Sequence, residues 1–137
     1  MSNKDKNVLA LCTCGSGKDY NECCGRFIET LELPTETPEH ILRSRYTSYN
    51  RSKGEYLLKS WHQSFRPKKN AKQIVREGAN IKYTGLKVLN VEFDNTKGKI
   101  SYEVRYRDGM RFGSYATTSN FIKEEGYWYY TNDDSDV

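Results

Sequence analysis

No run of apolar residues in this 137-residue chain approaches the roughly eighteen that a membrane-spanning helix needs, so no such span is expected. No charged-then-apolar leader is visible either, and a cytoplasmic, reducing location is the expectation. Hydrophobic residues make up 36% of the sequence, low for a globular protein, which leaves room for one compact domain and a small accessory element. Paired carboxylates, a nucleophile elbow, a phosphate loop and a Ser/His/Asp constellation are all missing, so the sequence makes no strong case for an enzyme. It also lacks any recognised RNA-binding signature, internal repeat or low-complexity tract. What it does have is 13% aromatic residues, eleven of them tyrosines, which can build a core with wet edges.

All four cysteines, Cys12, Cys14, Cys23 and Cys24, fall in one stretch, Cys-Thr-Cys-Gly-Ser-Gly-Lys-Asp-Tyr-Asn-Glu-Cys-Cys. Four soft thiolates so close together match the tetrahedral all-sulfur coordination that zinc takes in structural sites. Gly15-Ser16-Gly17 can make the reversal that returns the second pair onto the first. Disulfides are the alternative, disfavoured in a reducing compartment and by the strained ring that a Cys23–Cys24 bond would close. With no fourth position left open, the expectation is one structural zinc ion per chain. Lys18, Arg26 and the amides of Gly15 and Gly17 are expected to offset the charge on its sulfurs.

Cys-x-Cys-Gly-Ser-Gly-Lys-x-Tyr-x-x-Cys-Cys resembles the SEC-C motif, the zinc-binding element at the C-terminus of the SecA translocation ATPase and on many other bacterial proteins. The resemblance includes Gly15, Ser16, Gly17 and Tyr20, which are not ligands, and it implies the same four cysteines as the metal set. Arg43-Ser-Arg-Tyr-Thr-Ser-Tyr, Tyr56-Leu-Leu-Lys-Ser-Trp-His and Gly126-Tyr-Trp-Tyr-Tyr resemble the bacterial YchJ family. That family joins a SEC-C motif to a nuclear-transport-factor-2-like domain. Two departures stand out: residues 132–137 read Asn-Asp-Asp-Ser-Asp-Val, where relatives often carry a second SEC-C motif, and Gln63 stands where proline is usual.

Periodicity gives an α+β order independently. Residues 1–11 are polar and expected to fray, and Tyr20 to Thr30 reads as a short helix. Leu33-Pro-Thr-Glu-Thr-Pro is a linker, after which Thr37-Pro38 reads as a helix N-cap and first turn. Helical segments follow, one carrying Ile41, Leu42, Tyr46 and Tyr49, one over Lys53 to Phe65 and one over Pro67 to Ala79. From Ile81 the period is two. Ile100, Tyr102, Val104 and Tyr106 alternate with polar residues, Asp108-Gly109 and Glu124-Glu-Gly read as hairpin turns, and a parity switch between Val88 and Leu89 predicts a bulge. Together with the resemblance, this predicts a nuclear-transport-factor-2-like (cystatin-like) cone of curved antiparallel sheet over three helices. The implied division is a knuckle over 1–32 and a cone domain over 33–137.

The open end of such a cone leaves a cavity, and Arg45, Tyr46, Tyr49, Trp61, His62, Trp128 and Tyr130 are the candidates to line it. Arg45 must meet an internal acid, carbonyls or an anionic ligand, because its charge cannot be removed. His62 reads either as a general base or as a packing residue. From Arg43 to Arg76 ten Lys/Arg residues face a single acid, Glu55, while Glu29, Glu32, Glu36, Glu39, Asp133, Asp134 and Asp136 flank the stripe and can neutralise it. The leading functional expectation is a zinc-binding cytosolic adaptor whose exposed knuckle docks to a chaperone, secretion or ribosomal partner, as the SEC-C resemblance implies. A small-molecule ligand or substrate in the cone cavity is the alternative. Nucleic acid is expected only through nonspecific phosphate contact.

Overall fold

A computed structural model describes residues 11–135; residues 1–10 of the frayed-terminus expectation, and Asp136, lie outside the described residues. A 3₁₀ turn at Tyr20–Glu22 leads into α1, the single-turn helix Gly25–Ile28. The continuous helix expected from Tyr20 to Thr30 is therefore broken, at Cys23 (φ −118°, ψ −113°). The break has a geometric cause. Neighbouring side chains on one helix diverge by about 100°, whereas the sulfurs of Cys23 and Cys24 stand 3.9 Å apart.

Helix α2, Pro38–Arg51, starts as its sequence dictates: Thr37 Oγ1 accepts the Glu39 amide at 3.2 Å, and Pro38 fills the first turn. It ends at Ser52 in a left-handed conformation (φ 58°). Its buried residues include Ile41, Leu42, Ser44, Arg45, Tyr46, Thr47 and Ser48, too many for one face, because the knuckle packs on one side and the sheet on the other. Helix α3, Gly54–Lys59, is much shorter than the segment expected to reach Phe65. The chain leaves the helix so that residues 60–62 can pair with a strand. The Tyr130 amide donates to Ser60 O at 2.8 Å and the His62 amide to Tyr130 O at 2.8 Å, covering a sheet edge that would otherwise be open. Helix α4, Ala71–Glu77, starts later than Pro67 because Asn70 and Gln73 form a reciprocal capping box (2.9 and 2.8 Å).

Four strands, β1 (Ile81–Phe93), β2 (Lys97–Asp108), β3 (Arg111–Glu124) and β4 (Tyr127–Asp133), form an antiparallel meander in the order β1-β2-β3-β4. The register of β1 on β2 shifts between Val88 and Asn90, leaving Leu89 as the extra residue, and a second shift between Tyr83 and Gly85 adds curvature. Gly109 (φ 62°) and the pair Glu125 (φ 52°) and Gly126 (φ 89°) make the hairpin turns. Ile100, Tyr102 and Val104 point inward and pack with Ile41, Leu42, Tyr46, Phe121 and Trp128. The same cluster takes in the four cysteines, Tyr20 and Ile28, so packing is continuous across residue 32. Among the described residues no helix is long and apolar enough to cross a membrane.

Gly54 begins α3 directly against the backbone of Ala71, where an added Cβ would press into the carbonyl oxygen. Gly54→Ala should therefore destabilise the protein by about 1–3 kcal/mol in urea melts. At Gly78 (φ −96°) the nearest atoms to an added Cβ lie 3.9 Å away, and Gly78→Ala should be neutral within about 0.5 kcal/mol or stabilising. Equal losses at the two positions would contradict the packing described.

Candidate metal centre and cone cavity

Cys12 and Cys14 sit on a loop closed by the Cys12 amide donating to Lys18 O at 2.9 Å and turned by Gly15 and Gly17 (φ 84° and 82°). That turn brings them onto Cys23 and Cys24. All four sulfurs lie within 4.8 Å of one another and all four residues are buried. Cys14 and Cys23 are separated by 3.6 Å, Cys23 and Cys24 by 3.9 Å. A tetrahedron of sulfurs about 2.3 Å from a central ion has an edge of about 3.8 Å, so the donor set and its spacing fit one metal ion with no open coordination position. Hydrogen bonding from Cys14 and Cys24 pulls the Cys12 thiol far down. Bonding to Cys12 and Cys14, then burial, pushes the Cys24 thiol far up. Sulfurs packed this tightly cannot all lose their protons without a cation among them.

The groups around the sulfurs are hydroxyls rather than the cations expected from sequence. Ser16 Oγ lies 3.2 Å from Cys23 Sγ. Thr47 Oγ1, from the middle of α2, donates to Cys24 Sγ at 3.5 Å and stands 3.5 Å from Cys12 Sγ. Lys18 is exposed, Arg26 Nε donates to the Cys23 carbonyl instead (3.1 Å), and the Gly15 amide is taken by Cys12 O (3.3 Å). Arg43 locks the loop to α2, donating to Cys14 O at 2.8 Å and pairing with Glu39 at 2.8 Å. Tyr20 closes the other side: its hydroxyl donates to Glu29 at 2.8 Å and the Arg51 guanidinium stacks 3.6 Å from its ring centre. The knuckle therefore does not project into solvent. Its ligands face the domain.

Within the cone lies a cavity of about 160 Å³. Arg45, Tyr46, Tyr49, Trp61 and Tyr130 line it as expected, joined by Tyr83, Tyr102, Tyr115, Ser119 and Asp133. Arg45, 6% exposed, donates to Leu57 O (2.6 Å) and Ser60 Oγ (2.8 Å). Its guanidinium lies 4.5 Å from the Tyr130 ring and 4.9 Å from Trp61. This meets the need for carbonyl partners with internal groups. Opposite, Ser119 Oγ and Tyr130 Oη donate to Asp133 Oδ1 (2.5 and 3.0 Å), and Tyr102 Oη sits 2.7 Å from Ser119 Oγ. Burial pushes Tyr130 up, the nearby Asp133 adding to it, and pushes Tyr102 up to about 12. At neutral pH these phenols are therefore hydrogen-bonding walls and not bases.

His62 and Trp128 do not line the cavity, correcting the sequence assignment. His62 Nδ1 accepts the Ser64 amide (3.1 Å), which places the proton on Nε2 facing Glu124 at 2.7 Å; both ring nitrogens are engaged, as a packing residue's would be. Trp128 shares the inner face with Tyr130 but lies nearer the start of β4, edge-on to Phe93 at 5.8 Å. The basic stripe is partly neutralised by its flanks, through Arg43–Glu39 and Lys53–Glu29 (3.2 Å), and by Lys69–Glu77.

This combination has known counterparts. Residues 37–133 match the family described as YchJ, middle NTF2-like domain, and residues 10–26 match the SEC-C motif. The chain belongs to the YchJ family. A UPF0225 protein of Enterobacter sp. (strain 638) is 34% identical over 125 residues, covering 90% of this chain and 82% of the relative. The solution structure of a SEC-C motif containing protein from Rhodopseudomonas palustris superposes with a TM-score of 0.81 at 26% identity, over 92% of this chain and 98% of that one. An NTF-2 like protein of unknown function from Shewanella oneidensis MR-1 (TM-score 0.53, 12% identity, 74% of this chain and 97% of that one) shares the cone fold alone.

Thr47→Val removes the hydroxyl between two sulfurs while keeping side-chain volume. It should weaken metal affinity about tenfold in chelator competition, with an unchanged circular dichroism spectrum. For Tyr102 the folded state holds a proton that the unfolded chain gives up near pH 10. Its contribution to stability is complete below about pH 10 and lost as pH rises towards about 12. Melts across that range should show the wild type losing stability relative to Tyr102→Phe; the same pH dependence in both proteins would contradict the burial of Tyr102.

Proposed function

We propose that this YchJ-family protein is a cytoplasmic zinc-binding docking protein, in which one structural zinc ion fixes the knuckle against the cone and the surface around α1 receives a protein partner. The closed four-sulfur cluster, with its two hydroxyl partners, is the observation that carries this reading. Zinc is the ion for a closed, all-thiolate tetrahedral site, and its role there is to contribute folding energy and not reactivity. Thiols stay reduced and available for it in the cytoplasm.

Because the ligands face inward, docking is assigned to the grooves on either side of α1. One, of about 590 Å³, is lined by Arg26, Phe27, Leu33, His40, Tyr127 and Tyr129 among others. Arg26 lies 4.6 Å from the centre of the Phe27 ring, and Tyr127 is 45% exposed. Arginine and aromatic side chains are the usual anchors of protein interfaces. The SEC-C resemblance points to a chaperone, secretion or ribosomal component as the partner class. Phe27→Ala with Tyr127→Ala should keep metal and fold yet weaken binding to that partner at least tenfold, measured by cosedimentation with ribosomes and by binding to purified secretion chaperones. Unchanged binding in the zinc-loaded, folded variant would refute the groove assignment.

The cavity supports a second reading, a small-molecule site. At about 160 Å³ it suits a compound near the size of benzene, with Arg45 and Asp133 supplying charge and the tyrosines hydrogen bonds. A thermal-shift screen of small organic acids and amines should then raise the melting temperature, and Tyr115→Ala at the cavity wall should abolish the gain.

A further inference from the structure

The β2–β3 hairpin ends in two apolar side chains that none of the described residues covers. Met110 is 94% exposed and Phe112 78%, well beyond any other large hydrophobic residue described. Neither joins the core cluster. The ladder fixes where they sit: Lys82, Arg107 and Phe112 form one cross-strand row, and Gly85, Arg105 and Ser114 lie two rows further from the turn on the same, helix-free face. Arg111 closes the hairpin opposite Asp108. Lys82, Arg107 and Arg111 thus lie in the two rows next to the turn with one acid, Asp108, and Arg105 stands behind them, 4.0 Å through Nε from Glu103. No described acid pairs with Lys82, Arg107 or Arg111.

We propose that this hairpin tip is a docking site for an anionic lipid surface. A turn held by Gly109 (φ 62°) and a continuous ladder presents the two side chains without an ordering cost. Strand residues rise by about 3.4 Å, so the Lys82–Arg107 row lies one step behind the last pair and Arg105 about 10 Å behind it. Met110, in the turn, leads into the acyl boundary and Phe112 follows in the row of Lys82 and Arg107, whose long side chains reach back to the headgroup phosphates, while Arg105 lies at headgroup depth. Each cation near such a surface multiplies partitioning about fivefold. Single-stranded nucleic acid fits the same charge less well, because stacking successive bases takes a row of rings. Here one ring, Phe112, stands among the cations, and Met110 has none to offer.

The test is cosedimentation of the zinc-loaded full chain with phosphatidylcholine vesicles, with and without about 30 mol % phosphatidylglycerol. Binding should require the anionic lipid and weaken as salt shortens the reach of the charges. Met110→Ser with Phe112→Ser should lower partitioning at least tenfold, and Arg107→Glu with Arg111→Glu at least twentyfold. Both pairs are exposed, and each variant's melting curve verifies its fold. The proposal is overturned if the wild type does not sediment with anionic vesicles, or if the serine variant binds as well as wild type, which leaves only diffuse charge attraction. Displacement of the protein from vesicles by a labelled uridine oligonucleotide would assign the tip to nucleic acid. A dimer in solution that the serine variant dissolves would assign it to a second copy.

Discussion

Four sulfurs drawn within 4.8 Å of one another are the constraint on which the rest of the molecule turns. Residues 11–33 carry too few apolar side chains to form a core of their own, and what they bury is mostly the cysteines, Tyr20, Ile28 and Leu33. A structural zinc site supplies about 10–16 kcal/mol of apparent binding energy, comparable with the whole stability of a typical domain at about 5–15 kcal/mol. The ion would thus decide whether this segment is folded at all. Its effect reaches the cone through α2, because Thr47 sits against two ligands and Arg43 holds the loop backbone.

Helix α2 consequently has two buried sides, and their chemistry differs. Towards the knuckle it offers Thr47, sized to let a compact metal site approach. Towards the sheet it offers Arg45, whose buried charge is met by Leu57 O, Ser60 Oγ and two aromatic rings. The same residues 60–62 that receive Arg45 also pair with Tyr130. One guanidinium therefore ties α2, the end of α3 and the edge of β4, and lines the cavity while doing so. Its structural engagement means that a ligand would be recognised by the whole ring of tyrosines with Asp133, not by Arg45 alone.

Much of this was legible in local sequence because the causes are local. Cysteine spacing, the Thr37-Pro38 start, the alternation through Tyr102 and Val104, the parity switch at Leu89 and the Asp108-Gly109 turn each depend on residues a few positions apart. What was not legible depends on contacts between distant segments. Helix α3 stops at Lys59 because Tyr130 claims the next backbone groups. His62 is turned from the cavity by Glu124, 62 positions away. Thr47 meets Cys12 across 35 positions, and no local pattern distinguishes it from its neighbours Ser44 and Ser48. Asp133 read as part of an acidic end, whereas register places it beside Ser119 on the inner face. Strand parity alone points Tyr102 inward, whereas the position of Asp133 depends on the register of β4 against β3.

The most direct test of the account is native mass spectrometry of the protein purified without added metal, before and after chelation, with its fold followed in parallel. The account predicts one zinc ion per chain, cysteines at their fully reduced mass, and loss of knuckle structure once the ion is removed. A metal-free chain lighter by the mass of two or four hydrogens, folded and indifferent to chelator, would show disulfides in place of the metal and contradict it.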